Sequence, residues 1–261
     1  MREDGAQAIS RFIADTVAQS GAKGIVIGLS GGLDSAVVAE LAVKAIGAKS
    51  VLALHMPGIA PNKVELADAK AVAKWLCIEM RVIHVGDGSK SLGKGLGKVE
   101  KAELGNIMAR SRMIILYHIA KSESRLVLGT GNKSELLTGY FTKWGDGGND
   151  LQPIGDLYKT QVRELAKSLG VPDRLIKKVP TAGLWAGQTD ERDLKIKYEL
   201  LDQILHGIEL GLTDATIARK AKAPVAEVAR IRGLVRKTIH KRRMPLVPKM
   251  ATRTVGTDWR E

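Results

Sequence analysis

The residues best suited to chemistry lie at positions 30–35 and read Ser-Gly-Gly-Leu-Asp-Ser. They follow an apolar run at 24–29 and precede a pattern typical of a helix. Two adjacent glycines carry no Cβ, so consecutive backbone N–H groups can converge on an anion at the positive end of that helix. Asp34 adds a hard oxygen ligand of the kind that Mg²⁺ prefers. Because the lysine of a Walker A motif is absent, the sequence predicts a different kind of phosphate-binding turn.

Strands and helices alternate around this turn, which predicts parallel strands joined by crossover helices. The predicted strands are 24–29, 50–56, 80–85 and 125–128, and the predicted helices are 7–20, 35–46, 62–76, 105–120, 160–169, 193–210, 213–221 and 224–243. We therefore expect an α/β fold, a Rossmann-like doubly wound parallel sheet flanked by helices, with a helical C-terminal extension. It is expected to be one domain over 1–261, with an α/β core at 1–192 and a basic helical part at 193–261.

Three segments are predicted to be loops. Residues 86–101 are rich in glycine and lysine and nearly match a Walker A motif, but Gly95 stands where Ser or Thr should bind Mg²⁺. We expect a mobile loop there and a second flexible segment at 181–192. Residues 140–158 are long for a connection, which favours a functional loop. The helix at 105–120 is apolar on most sides, which predicts a subunit interface.

Composition restricts the class of protein. The chain has 261 residues, of which 44% are apolar and 26% are charged, as in ordinary globular proteins. No apolar stretch reaches about 18 residues, and no signal peptide is recognisable, so we expect a cytoplasmic protein without a membrane partner. The single cysteine, Cys77, excludes an internal disulfide, and beside Trp75 and Leu76 it is expected to be a buried structural thiol.

The net charge of +13 is concentrated near the C-terminus, where residues 217–261 contain 13 Lys or Arg against 3 acidic residues. Such a segment can contact nucleic acid, another acidic surface or a polyanionic small molecule, or can simply be a solvated helix face. Residues 213–235 can also be read as a helix-turn-helix, although any helical hairpin gives this pattern.

Further blocks follow the phosphate-binding turn in a fixed order. They are GNIMARSRM at 105–113, GTGNKSE at 129–135, TGYFTKWGDGGND at 138–150, PTAGL at 180–184 and HKRR at 240–243. Together with SGGLDS at 30–35, they resemble the ammonia-dependent NAD⁺ synthetases, which belong to the ATP pyrophosphatases. The resemblance extends from the first helix to about residue 248, and the blocks GN-x-x-AR-x-RM and FTK-x-GDGG are its most specific parts.

The resemblance implies a two-step reaction. ATP adenylates the nicotinate carboxylate of deamido-NAD⁺ and releases pyrophosphate, and ammonia then displaces AMP to give NAD⁺. A carboxylate has no good leaving group, whereas an acyl adenylate leaves as AMP. Negative charge builds on the departing pyrophosphate, so backbone amides, Mg²⁺ and a lysine are expected beside it.

The resemblance also implies roles for individual residues. It places ATP at Gly28, Ser30, Gly31, Gly32, Asp34, Ser35, His55, Thr130, Lys159 and Thr181, and Mg²⁺ at Asp34 and Glu135. Asp146 is the expected site for ammonium and its deprotonation, and it is counted with Lys159 and Thr181 as catalytic. Deamido-NAD⁺ is expected at Arg110, Tyr140, Lys143, Asp150, His240 and Lys241, across the interface of a homodimer.

Two features need separate comment. Many relatives have an arginine before Leu-Pro at the end of the second strand, where this chain has His55-Met56-Pro57, so the ATP contact of His55 stays open. Residues 1–23 form only one predicted helix, so we expect no glutaminase domain, and either free ammonia or a separate glutaminase as the nitrogen source.

Two other functions remain as alternatives. The first is an ATP pyrophosphatase that modifies tRNA, against which Cys77 argues because sulfur-carrying members need an accessible cysteine. The second is a nucleic-acid-binding module built on the basic C-terminal helices.

Overall fold

The computed structural model describes residues 3–185 and 187–255. Its centre is a parallel four-stranded sheet of β1 (Gly24–Gly28), β2 (Val51–His55), β3 (Glu79–Val82) and β4 (Arg125–Leu128) in the order β3-β2-β1-β4. The helices are α1 (Glu3–Ser20), α2 (Leu33–Ile46), α3 (Lys63–Trp75), α4 (Gly86–Gly95), α5 (Lys101–Glu123), α6 (Lys133–Thr138), α7 (Lys159–Ser168), α8 (Asp173–Ile176), α9 (Asp190–Leu194), α10 (Tyr198–Glu209), α11 (Asp214–Ala221) and α12 (Val225–Lys237). The predicted α/β fold with a parallel sheet and a helical C-terminal extension is confirmed.

The two central strands are apolar because they are covered on both faces. Ile25 pairs with Val51 on one side and with Leu126 on the other, and all of β2 is buried. Continuous apolar runs of this kind are typical of parallel sheets with helices on both faces. This explains why β1 and β2 were recognisable from sequence to within one residue at each end, whereas β3, which is half-buried or exposed, was offset by up to three residues.

The strand order creates a crevice that helps to position the functional residues. The chain passes from β1 to β2 and β3 on one side, and β4 pairs with the opposite edge of β1. In open parallel sheets ligands bind where the order reverses, beyond the carboxyl ends of the strands. The turn after β1 and the turn after β4 flank this point.

Two apolar clusters cover the two faces of the sheet. One packs α1, α2, α3 and α7 against side chains such as Ile25 and Ile27. The other packs part of α5 against side chains such as Val26 and Leu52. Because Ile25 and Val26 are neighbours in β1, they point to opposite faces.

A third apolar cluster joins the C-terminal helices to one another. Tyr198 is fully buried in it, and Leu201, Ile217 and Ile231 connect α10, α11 and α12. Leu137 and Tyr140, from α6 and the segment after it, also pack against this cluster. The C-terminal helices therefore brace the part of the chain that follows β4.

The expected mobile loop at 86–101 is wrong, since residues 86–95 form α4. Tertiary packing overrides the low helix propensity of its four glycines. Ser89 donates to Ser111 of α5 at 3.1 Å, and a Cβ at Gly86 would lie 2.9 Å from the Gly58 carbonyl oxygen. A larger residue at position 86 would prevent this close approach.

Helix boundaries also differ from the prediction: α1 starts at Glu3 and not at 7, and α12 ends at Lys237 and not at 243. A capping box between Glu100 and Glu103 starts α5 four residues earlier than predicted. The single helix expected over 193–210 is two helices, because Lys195 adopts a left-handed conformation with a φ of 57°. Residues 190–192 of the predicted flexible segment belong to α9.

The expectation of a buried Cys77 is also wrong. Cys77 follows the end of α3 with a φ of 54°, and its side chain is exposed. Its exposure removes the argument against sulfur chemistry that rested on a buried thiol. Within the described ranges, no helix combines the length and the apolar character needed to cross a bilayer.

Candidate active site

The turn after β1 is held in shape by its own serines. Ser30 Oγ accepts from the Gly32 N–H at 3.1 Å and lies 3.0 Å from Ser35 Oγ, which donates to the Gly32 carbonyl at 3.1 Å. Gly31 has a φ of 79°, and a Cβ there would lie 2.4 Å from the carbonyl oxygen of Glu65. Only glycine fits this position. The turn therefore holds its backbone close to α3 and at the N-terminus of α2, the end of a helix that attracts anions.

Three charged side chains from three helices meet beside this turn. The ammonium of Lys159, at the start of α7, forms an ion pair with Asp34 of α2 and lies 3.7 Å from Glu135 Oε1 of α6. Asn132 joins the two acids, since its Nδ2 donates to Asp34 Oδ1 at 3.3 Å and its Oδ1 accepts from the Glu135 N–H at 3.0 Å. Because Lys159 is only 2% exposed, the acids compensate an ammonium that has lost its water.

The protein strongly perturbs the proton affinities of this cluster. Burial would lower the pKa of Lys159, but Asp34 and Glu135 outweigh it and raise that pKa above its ordinary value. Burial raises the pKa of Glu135 to about 8, with Lys159 acting in the opposite direction. A metal cation beside Glu135 would favour its ionised form. Perturbed acids and bases of this kind are concentrated at functional sites.

A cavity of about 890 Å³ begins at this cluster and extends to the segment after α6. Of the ten residues expected to contact ATP, nine line it: Gly28, Ser30, Gly32, Asp34, Ser35, His55, Thr130, Lys159 and Thr181. Gly31 is behind the wall, where its carbonyl accepts from Lys178 at 2.9 Å. The volume and the concentration of polar groups suit a nucleotide-sized ligand.

His55 is buried at the end of β2. Its Nδ1 lies 2.9 Å from the carbonyl oxygen of Leu29, and the residue is 4% exposed. Because a carbonyl oxygen only accepts, Nδ1 carries the proton and Nε2 remains for another partner. His55 lines the cavity, and its contact with ATP stays a prediction.

The segment that carries Thr181 is tied to the phosphate-binding turn. Lys178 bonds the Gly31 carbonyl and also pairs with Asp68 of α3 at 2.8 Å. Thr181 itself is exposed, and its Oγ1 accepts from the Gly183 N–H at 3.1 Å. One lysine thus connects three parts of the cavity wall.

Asp146 lies on another part of the wall. Its Oδ1 accepts from the Thr142 N–H at 2.8 Å, and Thr142 Oγ1 donates to Asn106 of α5 at 2.7 Å. Asp146 is exposed to the cavity, but desolvation by the surrounding wall raises the pKa of its carboxyl, with Arg112 and Lys241 opposing. An acid with a raised pKa can accept and hold a proton more readily than one in open solvent.

The sequence model of the family described as NAD synthase matches residues 6–245. The chain belongs to this family. The NH(3)-dependent NAD(+) synthetase of Thermococcus kodakarensis is 50% identical over 93% of this chain and 96% of its own.

Two solved structures of similar proteins have nearly the same fold. NMN synthetase from Francisella tularensis superposes with a TM-score of 0.84 at 35% identity, covering 95% of this chain and 98% of that one. NH3-dependent NAD synthetase from Campylobacter jejuni has a TM-score of 0.82 at 32% identity, covering 95% and 100%. The two similar structures thus carry different names, one for a dinucleotide product and one for a mononucleotide product.

The residues expected to bind the dinucleotide are not all brought together in this chain. Tyr140 and Lys241 line the cavity. Arg110, Lys143, Asp150 and His240 are outside its wall in this single chain. Asp150 instead accepts hydrogen bonds from the Tyr117 hydroxyl at 3.0 Å and the Val127 N–H at 2.8 Å, beside a second cavity.

The C-terminal segment nevertheless reaches this side of the cavity. Lys241 donates to the carbonyls of Gly139 and Phe141 at 2.8 and 2.9 Å, and Lys143 donates to the His240 carbonyl at 2.7 Å. Burial and Arg110 lower the pKa of Lys241, whereas Asp146 raises it. The HKRR block and the loop after α6 thus form one surface.

Among the cavity residues that were not predicted as functional are Arg112, Lys178 and Asp190. Arg112 donates to the Met56 carbonyl at 2.9 Å, and burial lowers its pKa while Asp146 opposes. Lys178 and Asp190 complete the wall. Arg112 belongs to the GN-x-x-AR-x-RM block, so the sequence did mark its neighbourhood as functional. Lys178 and Asp190 lie in segments whose sequence suggested only a connection between helices.

Proposed function

We propose that this chain is a ligase that amidates deamido-NAD⁺ to NAD⁺, using ATP and ammonia and releasing AMP and pyrophosphate. The observation that carries the proposal is the cluster of Asp34, Glu135 and Lys159 at the phosphate-binding turn, inside a cavity that also contains Asp146. The cluster of three charged side chains suits the departure of pyrophosphate, and Asp146 suits an amine nucleophile.

ATP binds with its phosphates at the turn after β1. Ser30 Oγ holds the Gly32 N–H in this structure, and a phosphate oxygen takes that donor when ATP binds. Lys159 is buried and always charged near neutral pH, so it stabilises the negative charge that develops on the leaving pyrophosphate. Thr181 adds a hydroxyl from another segment of the cavity wall.

The acids at this turn fit Mg²⁺. Asp34 and Glu135 already bind one cation between them, the Lys159 ammonium, and carboxylate oxygens are the ligands that Mg²⁺ prefers. Asp34 and Glu135 would hold the ion, and within residues 3–185 and 187–255 no cluster of three or more His, Cys, Asp or Glu side chains occurs. When bound, the ion neutralises charge on the phosphates.

The amidation step uses Asp146. Ammonia is mostly ammonium at neutral pH, so its site must attract a cation and then remove a proton. Asp146 provides the negative charge, and its raised pKa makes it a better proton acceptor. Neutral ammonia then attacks the carbonyl carbon of the acyl adenylate, and AMP leaves with the electrons of the broken C–O bond.

The binding site for the dinucleotide is completed by a second copy of the chain. Ile114 of α5 is 61% exposed, and other apolar side chains along α5 are only half-buried, which supports an interface on this helix. Arg110, on the same helix, and Lys143, His240 and Asp150 are then binding residues that act across or beside that interface. A homodimer accounts for their position outside the cavity of one chain.

A mononucleotide acceptor is the second candidate. It is favoured by the likeness to the NMN synthetase of Francisella tularensis, which has the highest TM-score of the two structures described above. The chemistry at the carboxylate is the same for nicotinate mononucleotide, and the two substrates differ only in the second nucleotide. Comparing them tests the dinucleotide site and not the ATP site.

The deciding experiment incubates pure protein with Mg²⁺, ATP and ammonium, with deamido-NAD⁺ in one series and nicotinate mononucleotide in another. We expect equal amounts of NAD⁺, AMP and pyrophosphate in the first series, and none with glutamine as the only nitrogen source. If nicotinate mononucleotide were turned over faster than deamido-NAD⁺, the mononucleotide would be the acceptor. Pyrophosphate release without either amide would overturn the amidation and direct the search to tRNA.

A further inference from the structure

Asp190 is a buried carboxylate that the reaction described above does not use. It is 3% exposed, is the first residue of α9 and lines the cavity. Its Oδ2 accepts from the Tyr198 hydroxyl at 3.1 Å, but its Oδ1 is buried without a hydrogen-bond partner. A buried carboxylate oxygen without a donor is unfavourable. Such an oxygen calls for a partner that arrives in another state of the molecule.

Lys159 and Asp190 are joined through one aromatic ring. Lys159 Nζ lies 5.4 Å from the centre of the Tyr198 ring, and the hydroxyl of the same ring bonds Asp190. Burial raises the pKa of Asp190, and Lys159 is the strongest influence in the opposite direction. The two groups are therefore close enough to stabilise each other's charges.

A metal ion changes the position of Lys159. In this structure Lys159 pairs with Asp34 and lies 3.7 Å from Glu135, the two acids proposed to bind Mg²⁺. A divalent cation takes those oxygens and repels the ammonium. Because Lys159 is buried, the displaced ammonium needs anionic partners close by, and a buried carboxylate on its other side can complement the ATP phosphates. Asp190 Oδ1 is the buried carboxylate oxygen without a partner in the described ranges.

We propose that Asp190 is a positioning residue that receives the Lys159 ammonium when a divalent cation occupies Asp34 and Glu135. This proposal rests on the proposed binding of Mg²⁺ and ATP. Asp190 keeps the ammonium at the phosphate end of the cavity and balances its charge there. Neither the motif blocks nor the comparisons assign this task to Asp190.

The backbone of Asp190 connects the position of its side chain to a second part of the cavity, the segment that carries Thr181. Its N–H donates to the Pro180 carbonyl at 3.1 Å, so Asp190 closes the segment 181–189 at its base. Thr181 is the residue after Pro180 and is one of the proposed phosphate ligands. The Lys159–Asp190 contact therefore fixes the base of this segment when the metal site is filled.

The test measures ATP binding by calorimetry at a series of Mg²⁺ concentrations, without an acceptor and without turnover. Asp190→Asn keeps the shape and removes the charge, so Lys159 stays on Asp34 and competes with Mg²⁺. We expect the half-saturating Mg²⁺ concentration to rise about 10-fold or more, as for other residues that orient metal-site groups. Asp190→Glu, which keeps the charge, is expected to restore most of the Mg²⁺ dependence.

Asp173→Asn is the matched control. Its side chain is 82% exposed and pairs with Lys177, so it makes the same charge change away from the cavity. We expect its Mg²⁺ dependence to equal that of the wild type. A purely structural role of Asp190 would lower the melting temperature without changing the half-saturating concentration, and that result would overturn the proposal.

The two proposals fail in different ways. If the wild type binds Mg²⁺-ATP and Asp190→Asn has an unchanged Mg²⁺ dependence, Asp190 has no positioning role and the proposed function stands. If the wild type does not bind Mg²⁺-ATP, the proposed function fails as well. Should Asp190→Asn not fold, Tyr198→Phe decides, because loss of the hydroxyl that orients Asp190 must shift the same concentration; an unchanged value overturns the proposal.

Discussion

The two ends of the cavity are built in different ways. At the phosphate end, side chains from α2, α6 and α7 meet around a lysine that is 2% exposed, and hydrogen bonds connect them. At the acceptor end, Asp146 is exposed to the cavity, and four of the six residues expected to bind the dinucleotide lie outside its wall. The phosphate end is assembled within one chain, whereas the acceptor end, in the homodimer proposed above, needs substrate and a second chain. The following experiments test that difference.

The largest effect is expected from Asp34→Asn. Removing this charge takes away a proposed Mg²⁺ ligand and the ion-pair partner of Lys159, so pyrophosphate release should fall by ~10²-fold or more. Glu135 still faces Lys159, so the protein should remain folded, as judged by circular dichroism. Asp15→Asn, an exposed change on α1, serves as the control. Retained turnover would remove Asp34 from the mechanism.

Asp146→Asn should separate the two ends. Adenylate formation should continue, since the phosphate end is untouched, while ammonia transfer should slow by about 10²-fold, the usual contribution of a general base. Pyrophosphate release and NAD⁺ formation are measured in the same reaction at neutral pH. An unaltered amidation rate would exclude Asp146 from this step.

A charged residue introduced on the exposed face of α5 should affect only the acceptor end of the cavity. Ile114→Asp is expected to shift the protein from dimer to monomer in sedimentation and to raise the KM for deamido-NAD⁺ by about 10-fold, the loss expected for one interface contact of 1–2 kcal/mol. The KM for ATP should change little. Val64→Asp on α3 is a matched control, since Val64 is 63% exposed and Ile114 is 61% exposed. Equal behaviour of the two variants would place the interface elsewhere.

The smallest effect concerns the support of the phosphate end by the C-terminal helices. Glu209 of α10 accepts from Lys133 of α6 at 2.5 Å and from the Tyr158 hydroxyl at 2.6 Å, and these hydrogen bonds lower its pKa to about 2. A depressed pKa means that the folded state is stabilised above the ordinary value of 4.5 and loses this contribution as the pH falls toward about 2.

Glu209→Gln should therefore lower the free energy of unfolding at pH 6 more than at pH 2. Because Glu209 is exposed, the difference is expected to be small. Denaturant unfolding across this range measures it, with Asp15→Asn as the control. If the difference in the free energy of unfolding between wild type and variant stays constant with pH, the ion pair does not stabilise the fold.

Much of the fold was predictable because the two central strands are buried on both faces and the turns carry glycine. The runs that became β1 and β2 contain no charged residue, so their burial was evident from composition alone. The segment 86–95 was not predictable, because its helix depends on packing against α5 and not on its own propensity. The prediction for Cys77 was wrong because this residue follows the end of α3 in a left-handed conformation, which leaves its side chain exposed.

By itself, the sequence determined the chemistry at the phosphate end. Two glycines and an aspartate between a strand and a helix restrict the backbone locally, and such local constraints can be read from neighbouring residues. Only the tertiary structure decided that Lys159 and Asp190, 31 positions apart, share the ring of Tyr198. It also decided that Arg110 and His240 lie outside the cavity of one chain. Contacts between distant segments depend on how helices pack, and no local pattern specifies that.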